Sequence, residues 1–156
     1  MKTVGIVVIL WLTLAAPGRG RDVEIPFETG PQESVILVRG SANGRPALLI
    51  LDTGSSRTIL RPELVGTPST SLPSSGFSEN GPGLQAQGRW SRATIRLGEK
   101  TWRREVVAMN FDEVSRAMGM KVDGLIGQDL LREYDRVTID FRAGKILLSG
   151  KGGGSP

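Results

Sequence analysis

The residues best suited to catalysis in this sequence are Asp52 and the small polar residues that follow it. A continuous apolar run, residues 47–51, leads directly into Asp52-Thr53-Gly54, and Ser55 comes next. An ionisable carboxylate is uncommon at the end of a buried strand unless a partner stabilises it. The hydroxyl groups can act as donors, and the glycine allows a sharp turn of the chain. The segment is a candidate acid/base site, although a loop of this composition can also simply end a strand.

The residue types that are absent restrict the chemistry further. The 156 residues include no cysteine and no histidine. This excludes thiol nucleophiles, disulfides, Ser-His-Asp triads and HExxH zinc sites. Acid/base catalysis must then come from carboxylates, Lys, Tyr or the chain termini. Asp123, Asp129 and Asp140 lack the spacing of metal ligands, so we expect no metal and no other cofactor.

A second short motif follows later in the chain. Leu125-Ile126-Gly127 is an apolar unit that precedes a predicted short helix. The features follow one another along the chain: the apolar strand into Asp52-Thr53-Gly54, a Gly-rich stretch, the second motif with its short helix, and a closing hairpin. This order resembles the retroviral-type (retropepsin-like) aspartic peptidases, in particular the exported single-domain forms of bacteria. The resemblance spans about residues 22–149.

The resemblance implies an all-β fold and a function. Each chain is expected to form a closed acid-protease-type β-barrel half with one or two short helices, and two chains form a two-fold homodimer. Each copy supplies Asp52, and the two facing carboxylates share one proton because both cannot ionise cheaply at that distance. The charged carboxylate takes a proton from the attacking water, and the protonated one hydrogen-bonds to the scissile carbonyl. The implied activity is that of an aspartic endopeptidase, with a peptide or protein as substrate.

The resemblance also implies roles for the neighbouring residues. Thr53 is expected to join the two active loops across the dimer, and Gly54 to bring the backbone close to the substrate. We expect the Ser55 hydroxyl to hydrogen-bond to the Asp52 carboxylate and to favour its charged form. The second motif is expected to pack beneath the active loop through Leu125, Ile126 and Gly127.

Two positions depart from the retroviral pattern. Those relatives carry an acidic residue two positions after the motif glycine, and it pairs with an arginine after the apolar-apolar-Gly unit. The corresponding residues here are Ser56 and Gln128. Arg57 and Asp129 are candidates for a substitute ion pair.

The Gly-rich stretch at residues 76–92 lies where the family has its flap. Hinged Gly-rich hairpins can open and close over a substrate, and an ordinary surface loop is the alternative. Trp90 and Trp102 are candidate substrate contacts, although packing is the more usual role of tryptophan in a small barrel. The flap candidates are Gly81, Pro82 and Gly83.

The patterning around the motifs predicts short strands and two helices. Asn43-Gly44 is a strong hairpin signal, and the lack of alternation in residues 47–51 predicts that both faces of that strand are buried. We expect helices at 111–118, capped by Asn110 and ended by Gly119, and at 128–134. Strands are expected at residues 23–27, 34–38, 47–51, 57–60, 92–97, 101–109, 137–141 and 146–148.

The N-terminal residues have the pattern of an export signal. Lys2 precedes an apolar stretch at 4–16, the length of a signal-peptide core and short for a membrane-spanning helix. We expect a signal peptide at 1–20, cleaved after about residue 16–20, a peptidase domain at 21–150 and a flexible tail at 151–156. The protein would then be secreted or periplasmic, without stable membrane insertion. An uncleaved N-terminal anchor is the alternative.

The basic residues do not indicate a nucleic-acid partner. The net charge is +4, and Lys2 and Arg19 within the predicted signal peptide supply two of the positive charges. Nucleic-acid binders usually cluster basic residues on one face, whereas we interpret the densest arginine group as a solvent-exposed strand face: Arg89, Arg92, Arg96, Arg103 and Arg104. A catalytically inactive peptide-binding module of the same fold remains the alternative function, and the intact Asp52-Thr53-Gly54 favours the enzyme.

Overall fold

The computed structural model describes residues 22–31, 35–66 and 88–150, and this part of the chain contains ten strands and two short α-helices. The strands are β1 (Val23–Pro26), β2 (Glu28–Thr29), β3 (Ile36–Ala42), β4 (Arg45–Leu51), β5 (Ile59–Leu60), β6 (Arg89–Leu97), β7 (Lys100–Ala108), β8 (Gly124–Ile126), β9 (Arg136–Asp140) and β10 (Lys145–Ser149). The helices are α1 (Asp112–Met118) and α2 (Gln128–Leu131). The fold is therefore all-β with two short helices, as predicted.

Six of the strands close into a barrel in the order β3-β4-β8-β5-β7-β6, since β6 pairs back onto β3. The closure depends on Gly40, whose position opposite Leu97 brings the two backbones close together. A Cβ atom at Gly40 would lie 2.4 Å from the carbonyl oxygen of Arg96. A larger residue there would force β3 and β6 apart, so glycine is required by the close approach.

Strand β4 is covered on both faces, as its uninterrupted apolar run predicts. Ala47 and Leu49 point into the core of the barrel. Leu48 and Ile50 pack on the other side, in a second apolar cluster that contains Phe111 at the start of α1. The strand that leads into Asp52 is thus held between two layers of packed side chains.

A smaller antiparallel sheet of order β1-β10-β9 packs against the barrel. Ile25, Ile146 and Leu148 of this sheet are almost fully buried in the barrel core. Val137 and Ile139 of β9 pack against the same core from the border of the sheet. The predicted closing hairpin is confirmed as β9 and β10.

Several element boundaries differ from the prediction. Strand β3 continues to Ala42 rather than ending at residue 38. The turn at Asn43-Gly44, with φ of 49° and 78°, is so tight that β3 and β4 extend up to it on either side. Helix α2 ends at Leu131 rather than at residue 134, since Tyr134 turns into the core before β9 begins. The short strands β2 and β8 were not predicted, because two or three residues are too few to show a periodic pattern.

Only the C-terminal end of α1 agrees with the prediction. The residue at the N-cap position is Phe111 rather than Asn110, and it makes no side-chain capping bond, whereas Oδ1 of Asn110 accepts a hydrogen bond from the Asp112 N–H at 2.6 Å. Gly119 ends the helix in the left-handed conformation, with φ of 66°.

Some predictions concern residues outside the described ranges. These are the signal peptide at 1–20, the flexible tail at 151–156 and the flap residues Gly81, Pro82 and Gly83. Within the described ranges, no helix has the length and apolar character needed to cross a membrane.

The arginine group divides between two environments. Arg89, Arg92, Arg96 and Arg103 are exposed on β6 and β7, as expected for a solvated strand face. Arg104 is partly buried and pairs with Glu133, which follows α2.

Arg61 is a buried cation that connects the end of β5 to α1. Its Nη1 donates to Oδ1 of Asp112 at 2.6 Å, its Nη2 to the Ser115 hydroxyl at 2.8 Å, and its Nε to the carbonyl of Val122 at 2.8 Å. The hydrogen bond from Arg61, with a further contribution from Asn110, holds the pKa of the Asp112 carboxyl below its usual value.

This lowered pKa predicts an acid-sensitive contribution to stability. Because the unfolded chain binds a proton at Asp112 more readily than the folded chain does, the contribution is complete above the usual pKa of an aspartate. It is lost as the pH falls through the lowered folded pKa. The difference in unfolding free energy between wild type and Asp112→Asn, measured by urea denaturation from pH 7 to 3, should therefore shrink with acidity. Glu113→Gln, in the same helical turn, is the control, and a difference independent of pH would contradict the prediction.

Candidate active site

Asp52 is the first residue after β4, at the point where β4 lies parallel to β8. Leu51 is paired with Ile126 in the sheet, and the Asp52 N–H donates to the carbonyl of Ile126 at 3.0 Å. The side chain of Asp52 remains partly exposed. A carboxylate that solvent can reach is thus carried by a backbone that the sheet holds in place, as a catalytic group requires.

The loop after Asp52 folds back onto its carboxylate. Oδ1 of Asp52 accepts hydrogen bonds from the backbone N–H groups of Gly54, at 2.8 Å, and Ser55, at 3.3 Å. Oδ2 accepts no hydrogen bond from any of the residues that the structure describes. One carboxylate oxygen therefore orients the group, and the other is available to a water molecule or a second carboxyl group.

The hydroxyl of Ser55 does not contact Asp52, and this part of the sequence prediction is wrong. Ser55 is buried, and its Oγ donates to the carbonyl oxygen of Arg57 at 2.8 Å. The bond from Ser55 to the carboxylate comes from its backbone N–H instead. The turn of the loop directs the Ser55 side chain inward. Its hydroxyl therefore stabilises the loop and makes no contact with the Asp52 carboxylate.

The second motif packs against the active loop, as predicted. Leu125 lies between its partners Ile50 and Ile59 in the sheet, and Ile126 accepts the backbone bond from Asp52. Gly127 lies against the backbone of Arg57, which leaves no room for a Cβ atom.

Gln128 joins the loop at the position where retroviral relatives carry an arginine. Its side-chain Nε2 donates to the carbonyl of Thr53 at 2.8 Å, and its backbone N–H donates to the carbonyl of Ser55 at 2.8 Å. An amide thus supports the loop through backbone oxygens, without the ion pair of those relatives. Ser56, at the position of their acidic residue, is exposed.

The suggested ion pair between Arg57 and Asp129 is also wrong, because Asp129 binds Thr58. Oδ1 of Asp129 accepts from the Thr58 hydroxyl at 2.7 Å, and Oδ2 from the Thr58 N–H at 3.0 Å. The same hydroxyl accepts from the N–H of Gly127 at 3.2 Å. Arg57 instead stacks on Trp90, with its Cζ 5.1 Å from the ring centroid.

Thr58 is a supporting residue that sequence reasoning missed. It is fully buried, and it lies 71 residues from Asp129 in the sequence. The one available signal was a threonine directly before the apolar pair Ile59 and Leu60. A buried hydroxyl needs a partner, but the sequence does not show which one.

Thr58→Val is expected to destabilise the site without changing its shape. Valine has nearly the same volume, but it leaves the Gly127 N–H and Oδ1 of Asp129 without their partners. A buried N–H and a half-buried carboxylate that each lose a hydrogen bond together cost about 3 kcal/mol of unfolding free energy, which urea denaturation would measure. Thr94→Val is the control, because the Thr94 side chain lies in the barrel wall and bonds to no described residue, so this change should have little effect. Equal losses in both variants would contradict this role of the Thr58 hydroxyl.

The other candidate residues occupy varied surroundings. Trp102 is buried in the core, as expected for packing, whereas Trp90 is half-buried beneath Arg57. Thr53 and Gly54 are exposed, and the Thr53 hydroxyl bonds to none of the described residues. The expected roles of both residues at the dimer and the substrate stay predictions.

The described acidic residues form no group of three or more that could hold a metal ion. Asp123 accepts a hydrogen bond from the backbone N–H of Leu48 at 2.9 Å, and Asp140 accepts one from that of Ala143 at 2.8 Å. Like Asp129, they stabilise the folded chain.

A closed β-barrel that presents one Asp-Thr-Gly loop at the end of a buried strand is the architecture of an acid-protease domain. Residues 38–130, more than half of the chain, match the family described as aspartyl protease. The chain belongs to this family, and the resemblance predicted from the sequence is confirmed.

The solved structures that are similar to the chain include two aspartic proteases. A retropepsin-like aspartic protease from Rickettsia conorii is 17% identical, over 82% of this chain and 90% of that chain, with a TM-score of 0.49. EIAV protease in complex with the inhibitor HBY-793 is 16% identical, over 67% of this chain and 92% of that chain, with a TM-score of 0.43. No curated protein matches the chain significantly.

Proposed function

We propose that the chain is an active aspartic endopeptidase whose catalytic pair forms when two copies bring their Asp52 side chains together. The observation that carries this proposal is the Asp52 carboxylate itself, with Oδ1 held by the loop and Oδ2 left available. The sequence contains one Asp-Thr-Gly motif. Since the reaction uses one charged and one protonated carboxyl group, a single copy carries half of the required chemistry.

In the proposed mechanism, the charged Asp52 takes a proton from a water molecule that attacks the peptide carbonyl carbon. The protonated Asp52 of the second copy donates a hydrogen bond to the carbonyl oxygen as negative charge develops there. The first Asp52 then passes the proton it took from water to the amide nitrogen as the C–N bond breaks, and the pair returns to one charged and one protonated carboxyl group. Thr53 joins the two loops through its free hydroxyl, and the exposed Gly54 lets the substrate backbone approach.

The family and the site support this proposal together. The chain belongs to the aspartyl protease family. The active loop and the residues beside it are hydrogen-bonded by the Gln128 amide, the Thr58 hydroxyl and the Asp129 carboxylate. A preorganised loop of this kind is what acid/base catalysis needs.

We further propose that the protein is exported, with residues 1–20 as the signal peptide. Its location would be secreted or periplasmic, or membrane-tethered if the N-terminal segment stays uncleaved. Fractionation of the producing cells and N-terminal sequencing of the purified chain test this. A chain recovered in the cytosol with its first 20 residues intact would contradict it.

The activity is tested by incubating the purified protein with an unfolded protein substrate between pH 3 and 7. We expect cleavage by wild type, inhibition by a peptide isostere that carries a hydroxyl group at the scissile position, and no cleavage by Asp52→Ala. Sedimentation at the same pH should show a dimer. Peptide binding without cleavage would favour an inactive peptide-binding module, and cleavage by a strict monomer would contradict the shared catalytic pair.

A further inference from the structure

The outer face of the β6–β7 hairpin carries a row of arginines. Along both strands, residues that point into the core alternate with residues that face solvent. Arg92 and Arg96 of β6 and Arg103 of β7 belong to the outer set, and all three are exposed. In the strand register, Arg92 and Arg96 lie opposite Glu105 and Thr101, and Arg103 lies between these two partners on β7. The three cations therefore form one zigzag row across the two strands.

The spacing of this row fits an extended peptide. Diagonal neighbours on adjacent antiparallel strands lie about 7–8 Å apart. In an extended chain every second side chain lies on the same face, at intervals of about 7 Å. A peptide with a carboxylate at every second residue can thus place one carboxylate beside each arginine of the row.

The positive charge of the row is available to such a peptide. Among the described residues, Arg103 has no hydrogen-bonding or ion-pair partner, and Arg96 donates from Nε to the carbonyl of Gly98 at 3.3 Å. Nη2 of Arg92 lies 3.9 Å from Oε1 of Glu105, which is a loose pair between exposed side chains. A cleft of about 570 Å³ is lined by residues of both strands, Arg92 and Arg103 among them. The face therefore combines an excess of positive charge with a depression in the surface.

The row begins beside the active loop. Trp90 precedes Arg92 by two residues on the same outer face, and the Arg57 guanidinium stacks on its ring with Cζ 5.1 Å from the centroid. Arg57 follows Asp52 by five residues, and its side chain is exposed. A fourth cation thus connects the active loop to the row. From Trp90 to Arg96 the strand extends about 20 Å, so a segment of six or seven extended residues spans the whole face.

We infer that the outer face of β6 and β7 binds an acidic segment of the protein substrate, in extended form, next to the active loop. The inference rests on the proposed function and deepens it, because it names the substrate class: unfolded chains with carboxylates outside the cleaved bond. A nucleic acid fits this face less well, since single strands are bound by aromatic rings that stack on the bases. The Trp90 ring is half-buried and already covered by Arg57.

Binding of a defined acidic peptide tests the surface independently of activity. The probe is a fluorescently labelled octapeptide of alternating glutamate and serine, measured by anisotropy at pH 7, where its carboxyl groups are charged. The protein is the full chain with Asp52→Asn, so that the probe is not cleaved. Adding Arg96→Gln and Arg103→Gln together should weaken binding about fivefold, because each exposed charge pair contributes modestly. The octapeptide of alternating glutamine and serine should not bind.

The matched control removes the same charge elsewhere. Arg116→Gln with Arg142→Gln changes two exposed arginines, one on α1 and one in the turn between β9 and β10, and should leave binding of the acidic peptide unchanged. Equal weakening by both double variants would mean that net charge alone attracts the peptide, and it would overturn the inference. So would the absence of binding to the parent protein. An eight-residue thymidylate that binds more tightly than the peptide, and through the same arginines, would overturn it in favour of a nucleic acid.

Cleavage assays separate this inference from the proposed function. With Asp52 intact, Arg96→Gln and Arg103→Gln together should raise KM for an acidic unfolded protein and leave kcat unchanged. The same variant should show wild-type KM for that protein after its carboxyl groups have been amidated. If KM for the acidic protein also stays at the wild-type value, the surface is wrong and the endopeptidase proposal stands. If the acidic peptide binds through these arginines but wild type cleaves neither protein, the surface is right and the proposed activity is wrong.

Discussion

Replacing Asp52 with Asn is expected to lower the kcat of peptide cleavage by about 10⁴-fold, because the amide can neither accept the proton of water nor donate as an acid. The fold should persist, since the amide oxygen can still accept the hydrogen bonds from the N–H groups of Gly54 and Ser55. The measurement is kcat on a peptide substrate across pH 3–7, together with thermal unfolding of both proteins. Full activity in a correctly folded Asp52→Asn variant would exclude Asp52 as the catalytic group.

Mixing this variant with wild type distinguishes a shared site from two independent sites. With free exchange of subunits and a ninefold excess of variant, about one tenth of the wild-type chains pair with another wild-type chain. Activity per wild-type chain should then fall to about a tenth of its original value. Asp112→Asn, which leaves the active loop unchanged, is the control partner in an identical mixture. Constant activity per wild-type chain would mean that each copy works alone.

Gly127→Ala is expected to lower the stability of the chain about as strongly as Thr58→Val does. A Cβ atom at this position would lie 2.4 Å from the carbonyl oxygen and 2.5 Å from the carbonyl carbon of Arg57. Both are backbone atoms, so relief of the contact requires the active loop to move away from the second motif. We expect a loss of about 3 kcal/mol of unfolding free energy, measured by urea denaturation.

The same substitution should also reduce kcat, because the displaced backbone carries the loop that orients Asp52. Gly66→Ala is the matched control, since its Cβ atom would meet nothing closer than the Arg92 carbonyl oxygen at 3.8 Å. If both variants lost similar amounts of stability and kcat, glycine would be needed at residue 127 for its backbone flexibility and not because of close packing.

Elements with a strong local pattern could be predicted from the sequence. The unbroken apolar run before Asp52 indicated a strand covered on both faces, and Asn43-Gly44 indicated the turn that precedes it. Hydrophobic periodicity and turn preferences depend on neighbouring residues, so they are readable without the fold. The end of α2, by contrast, depended on the burial of Tyr134 in the core, which packing decides.

The supports of the active loop could not be predicted in the same way. Thr58 and Asp129 are far apart in the sequence and meet because β5 and the start of α2 flank the same loop. The Ser55 hydroxyl donates to the Arg57 carbonyl, and the Arg57 guanidinium stacks on Trp90; the sequence indicated neither contact. Hydrogen-bond partners follow side-chain direction, and side-chain direction follows the three-dimensional course of the backbone.

By itself, the sequence determined the type of chemistry and the family. A chain without histidine or cysteine, with a carboxylate between a buried strand and a glycine turn, has few other catalytic groups to offer. Only the tertiary structure decided which atoms hold that carboxylate and that Arg57 stacks on Trp90 at the start of β6. Both depend on contacts between distant segments, and those contacts exist only after the barrel has closed.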